Sequence, residues 1–158
     1  MDPSVDNGAD ANREFSFTGG AETVTLSDDG DGATGNGYSF IDSELAEQIV
    51  FLNPTESLTI NLGSGSDTVV LGELDTPLAG TFTGVSVYGE DGGAVEAPDD
   101  PDHFVVTPSL AYPISVDGED PAGTCPGDAL TFDFSGGAVI SGDNGSMFTF
   151  SSGHDAVT

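Results

Sequence analysis

Thr59-Ile60-Asn61-Leu62-Gly63-Ser64-Gly65-Ser66-Asp67-Thr68-Val69-Val70-Leu71 is the stretch whose reading decides the fold. Apolar residues alternate on either side of a glycine loop that closes on Asp67, the pattern of a strand, a tight turn and a second strand. Gly63 and Gly65 permit the positive φ and close backbone approach that side-chain-bearing residues resist, and Asp67 can aim a carboxylate back into the turn.

Weaker copies recur along the chain. Val85-Ser86-Val87-Tyr88-Gly89-Glu90-Asp91 leads through an acidic loop to Asp102-His103-Phe104-Val105-Val106, and Ile114-Ser115-Val116-Asp117-Gly118-Glu119-Asp120 leads to Asp128-Ala129-Leu130-Thr131-Phe132. Phe15 to Val24 fits the same frame with Glu22 in the acidic position, and Phe148 to Val157 fits it with Asp155. Leu62 to Tyr88, Tyr88 to Asp117 and Asp117 to Phe150 are about 26, 29 and 33 residues apart. Strand-turn-strand units recurring at roughly 20–50 residues signal a repeat architecture in which each unit buries its apolar face on the next. The expected fold is therefore all-β, a parallel β-solenoid of strand-turn-strand repeats. An antiparallel β-sandwich with long acidic loops produces many of the same alternations and is the alternative.

The 158 residues suit one domain. Residues 1–13 are polar and aperiodic, the composition of a disordered lead, leaving 14–158 as a single β-repeat domain, expected to be one module of a larger tandem array. Asp42 to Ile49 alone has helix-forming composition, enough for one or two turns. Ile49 to Leu52 and Ser57 to Leu62 are expected strands, and Leu71 to Phe82, broken by Pro77 and Gly80, a corner or loop.

One basic residue against 28 acids gives a net charge of −27. Repulsion of that size opposes compaction unless cations reduce it. Nucleic acid is excluded as a partner, because phosphate binding needs cations and Arg13 is the only one. The acids are 19 Asp and 9 Glu, and turn-bound carboxylates favour the shorter side chain. The lone Cys125 rules out an intrachain disulfide, and no apolar run is long enough for membrane insertion. The acidic loop Ser27 to Gly37 lacks the Glu that a helix-loop-helix calcium site needs at its twelfth position.

Gly63-x-Gly65-x-Asp67-x-Val69 resembles the Gly/Asp-rich nonapeptide of calcium-binding β-rolls, the RTX-like repeats, with Leu62 at the position of the first glycine. The longer units, with acidic turns between paired strands, are similar to repeat modules of very large bacterial surface proteins. The resemblance implies calcium held between neighbouring coils by turn carbonyls and aspartates. The candidate metal residues are Gly63, Gly65, Asp67, Asp91, Asp99, Asp100, Asp102, Asp117, Asp120, Asp128 and Asp155. Each turn aspartate has the simpler alternative of bonding its own backbone, and His103 and His154 that of ordinary strand-end histidines.

No phosphate loop, dinucleotide fingerprint or triad order is present, and with 28 scattered acids a carboxylate pair at glycosidase spacing has no discriminating value. The expected function is a non-enzymatic, calcium-stabilised structural or adhesive module of a secreted or cell-surface protein, extracellular in location. A carbohydrate- or protein-binding module, its contacts made by Tyr88, Tyr112 and outward phenylalanines, is the first alternative. A β-helix polysaccharide-degrading enzyme is the second. The expected partners are divalent cations and neighbouring copies of the module, joined end to end into a homo-oligomer or filament because the first and last units share one frame.

Overall fold

The computed structural model describes residues 4–17, 20–30, 35–76, 78–89, 102–107, 112–118, 129–132, 139–144, 147–151 and 156–157. Among them the chain is all-β, without a helix. A seven-stranded sheet contains β1 (Ser4–Asp6), β5 (Ile49–Leu52), β4 (Tyr38–Ser43), β3 (Thr23–Asp28), β7 (Thr68–Leu71), β9 (His103–Val106) and β11 (Ala129–Phe132), in that spatial order. A four-stranded sheet contains β2 (Asn12–Ser16), β6 (Ser57–Asn61), β8 (Gly84–Tyr88) and β10 (Ile114–Asp117) as neighbours. A third sheet is an antiparallel ribbon of β12 (Val139–Asn144), β13 (Met147–Ser151) and β14 (Ala156–Val157).

The chain alternates between the first two sheets, from β2 to β3, β6 to β7, β8 to β9 and β10 to β11. Both sheets then stack those strands in chain order and in parallel, β2-β6-β8-β10 in one and β3-β7-β9-β11 in the other. The two halves of the opening stretch, β6 and β7, thus lie in different sheets, and the glycine turn is a corner between sheets. Antiparallel pairing in the larger sheet is confined to β4, which lies between β3 and β5.

Period-2 alternation follows from the pleat. Val24, Val69 and Phe104 are in register across their sheet, as are Leu26, Leu71 and Val106, and all are buried. Leu58, Val85 and Ile114 face them from the other sheet, and the two sets join one hydrophobic core. Burying each such side chain contributes about 1.5–3 kcal/mol. Thr59, Ser86 and Ser115 alternate with them on the outer face, in register with Glu14.

The start of the chain differs from the expected disordered lead. β1 pairs in parallel with β5, and Arg13, buried on β2, holds Asp6 at 2.5 Å and Asp10 at 2.8 Å and donates to the Gly8 carbonyl. Its guanidinium lies 5.5 Å from the centre of the Phe51 ring, which stacks tilted on Phe15 at 5.0 Å. The one cation of the chain thus folds an acidic segment back onto β5, and Phe51, fully buried, seals this end of the core against β2. The composition of Asp42 to Ile49 also misleads. Asp42 and Ser43 end β4 and a turn follows, because Ile41 is buried in the core and Ser43 bonds the Glu22 carboxylate, contacts only an extended strand supplies. β4 occupies the side of β3 away from β7 in that sheet.

Phe51→Ala should lower unfolding stability by about 3–5 kcal/mol, the cost of emptying a large aromatic site. Urea unfolding measures it. A loss under 1 kcal/mol would mean that this end of the core is not closed by Phe51.

Candidate functional site

The residues just before β3, β7 and β9 fall at one corner of the larger sheet, where Thr23, Thr68 and His103 are in register. Glu22, Asp67 and Asp102 precede them, and all three are buried. The Glu22 N–H donates to Asp67 Oδ1 at 2.9 Å, and the Asp67 N–H donates to Asp102 Oδ1 at 2.9 Å. Each carboxylate therefore reaches back to the N–H of the equivalent residue one strand pair earlier. Backbone bonds extend the corner, Thr68 N–H to the Glu22 carbonyl and His103 N–H to the Asp67 carbonyl. Glu22, first in the row, receives the Ser43 hydroxyl of β4. Charged acceptors make such bonds shorter and stronger than neutral ones.

Two glycines make room for this packing. A Cβ on Gly65, whose φ is +122°, would stand 2.7 Å from the Ala21 nitrogen, and one on Gly89 would stand 2.2 Å from Asp102 Oδ2. The glycines of the opening stretch thus serve close approach between turns; Gly63, φ +86°, makes the first bend of the same turn.

Of the candidate metal residues, Gly63, Gly65, Asp67 and Asp102 meet at this corner, whereas Asp117 ends β10 exposed in the other sheet. Asp91, Asp99, Asp100, Asp120, Asp128 and Asp155 lie outside the described residues, as do Cys125 and His154. Among the described residues no group of three or more His, Cys, Asp or Glu is placed to hold a metal ion. For Asp67 and Asp102 the bonds to Glu22 and Asp67 run between successive strand pairs. His103 Nε2 lies 2.7 Å from Thr131 Oγ1 of the neighbouring strand. Tyr112 turns inward, its hydroxyl donating to the Gly72 carbonyl at 2.6 Å and its ring meeting Phe82 edge-on, so it adds nothing to an exposed aromatic patch. Burial pushes its phenol well above the ordinary range, with the Glu73 charge adding to the effect.

A fourth buried carboxylate lies outside the repeat pattern altogether. Asp75 lies in the irregular segment after β7 and is 3% exposed. Its Oδ1 accepts from the N–H groups of Gly35 at 3.1 Å and Thr76 at 2.7 Å, and its Oδ2 from that of Gly37 at 2.7 Å. Its own N–H donates to Ser39 Oγ, and its carbonyl receives the Asn53 amide. The glycine-rich end of the acidic loop thus wraps a carboxylate, with Gly35 and Gly37 at positive φ to turn their N–H groups inward. Burial raises the Asp75 pKa, but the bonds from Gly35, Gly37, Thr76 and Asn36 outweigh it and hold the group below its ordinary 3.8. Its partners Gly35 and Gly37 lie 40 and 38 residues upstream, a separation at which no local sequence pattern announces the pairing.

Comparison with family models, curated proteins and solved structures finds no match to this chain. Among the described residues no helix is long and apolar enough to cross a membrane.

Two outcomes follow from these carboxylates. Asp67→Ala leaves the Glu22 N–H buried without its acceptor and should cost about 1–3 kcal/mol. Urea unfolding in chelator should show this loss in full, and a loss seen only with calcium present would assign Asp67 to metal instead. For Asp75, whose pKa is depressed by folding, the stabilisation is present above the unfolded value near 3.8 and is lost as pH falls through the lower folded value. The stability of the wild type relative to Asp75→Asn should therefore shrink steadily below about pH 4; a difference independent of pH from 6 to about 2 would contradict the assignment.

Proposed function

We propose that the chain is a parallel β-solenoid of four coils, β2/β3, β6/β7, β8/β9 and β10/β11, serving as a non-enzymatic structural or adhesive module of a secreted or cell-surface protein. The observation that carries this reading is the in-register stacking of both sheets in the same chain order, with a carboxylate joining consecutive coils at one corner. Such a stack is a quasi-one-dimensional scaffold whose width is set by one coil and whose length grows by adding coils. Its outer face is polar and its net charge is −27, which favours a solvated spacer over a nucleic-acid or anionic-surface binder.

Calcium enters the proposal through that charge. The buried Asp67 and Asp102 already accept backbone N–H groups. The better candidates for cation binding are therefore the acids of the stretches Asp91 to Asp100 and Asp117 to Asp128, where coils three and four carry longer acidic connections than coil two. The end-to-end association expected from the shared frame is narrowed by β4, β5 and β1, which occupy the first end of the larger sheet.

Calcium should raise the melting temperature more than magnesium or sodium at matched ionic strength. Sites of the extracellular type bind at roughly 10⁻⁴ to 10⁻³ M, and one site at about 100 times its dissociation constant adds ~2.7 kcal/mol. Thermal unfolding across the three salts checks this; identical responses would leave charge screening alone and remove calcium from the proposal.

A further inference from the structure

The inward row Val24, Val69, Phe104 and Leu130 is in register across β3, β7, β9 and β11. The first three members are 0%, 0% and 2% exposed, but Leu130 is 40% exposed. β10 and β11 are also the last strands of their sheets, each with one side unpaired among the described residues. The fourth coil therefore offers a half-open apolar core flanked by two parallel-strand edges. The segment that fits such an end is another coil: a strand with two inward apolar residues, a short turn, and a second strand beginning after an acid.

We propose that this end is a docking surface for the chain's own segment Phe148 to Val157, which seats as a fifth coil in exchange for the β13–β14 ribbon pairing. The inference rests on the solenoid reading. In coil one Phe15 precedes Glu22 by seven residues, in coil two Ile60 precedes Asp67 by seven, and Phe148 precedes Asp155 by the same seven. The same frame sets Phe148 beside Val116, Thr149 beside Asp117, Ala156 beside Ala129, and Val157 beside Leu130, completing the row that is otherwise open. The connection also fits. Residues 72–83 link β7 to β8, and residues 133–144 separate β11 from the frame position equivalent to the start of β8, twelve positions in each case. A second copy is a poorer occupant, because its first end carries β4, β5 and β1 on the larger sheet. In the ribbon, Phe150 pairs with Val157 and Ser151 with Ala156, which puts both strands in one sheet. A coil needs them in two, so the arrangements exclude each other.

Three double-cysteine variants of the whole chain, each also carrying Cys125→Ser, test this under mild oxidation. Neighbouring strands put paired Cα atoms about 4.8 Å apart, within the span of a disulfide. Ser16→Cys with Asn61→Cys, register partners in coils one and two, should close and verifies the coil stack. Asp117→Cys with Thr149→Cys should close within the monomer and raise the melting temperature on oxidation. Ser151→Cys with Ala156→Cys should close poorly. Failure of the first pair would sink the solenoid reading and this inference with it. Closure of the first pair without intramolecular closure of the second, whether only the ribbon pair closes, neither does, or the second links two chains, would overturn the fifth coil alone.

Discussion

One bond, from a turn carboxylate to the backbone N–H of the preceding strand pair, sets the geometry on which the other contacts depend. Asp67 bonds Glu22 in this way and Asp102 bonds Asp67. Because donor and acceptor belong to successive passes of the chain, the bond fixes the rise from one to the next and the register of Thr23, Thr68 and His103. A slip of one residue would turn each inward row outward and put Val69 and Leu71 in water. Register and core packing are therefore the same constraint seen at two places.

That constraint explains the composition of the corner. A long side chain or a Cβ at Gly65 or Gly89 would collide with the preceding turn or with the Asp102 carboxylate. Burying a carboxylate is tolerable because its donors are charge-assisted partners, and leaving such an N–H without them is costly. The same solution appears at Asp75, where three backbone N–H groups surround one carboxylate. In a chain with a single cation, backbone donors take the part that lysine and arginine play elsewhere, and the one arginine is spent on pinning Asp6 and Asp10 beside Phe51.

Several strands were legible, β5 as the apolar run Ile49 to Leu52 and β6 and β7 by their alternation on either side of the glycine turn. The acidic position of the frame was also legible, and Glu22, Asp67 and Asp102 do gather at one corner. What hid from the sequence was polar pairing over long separations. β4 turns Ser39 and Ser43 inward, because Ser39 accepts from the Asp75 N–H and Ser43 donates to Glu22, while Tyr38 and Phe40 lie on the half-buried outer side. An apolar pattern search places that strand on the wrong face or sees a helix cap. Asp75 was hidden for the same reason, its donors arriving from a loop with no periodicity. Arg13 was more accessible: a sole cation with an aspartate three residues before it has a strong electrostatic reason to be ordered.

The account depends on the Glu22 and Asp67 amides being held by carboxylates of the next strand pair in the protein itself. Native-state hydrogen exchange of these two amides, followed by NMR in calcium-free buffer, tests this most directly. The account predicts protection approaching that of the core amides of Val69 and Leu71. Exchange as fast as an exposed turn, with protection appearing only when calcium is added, would contradict it.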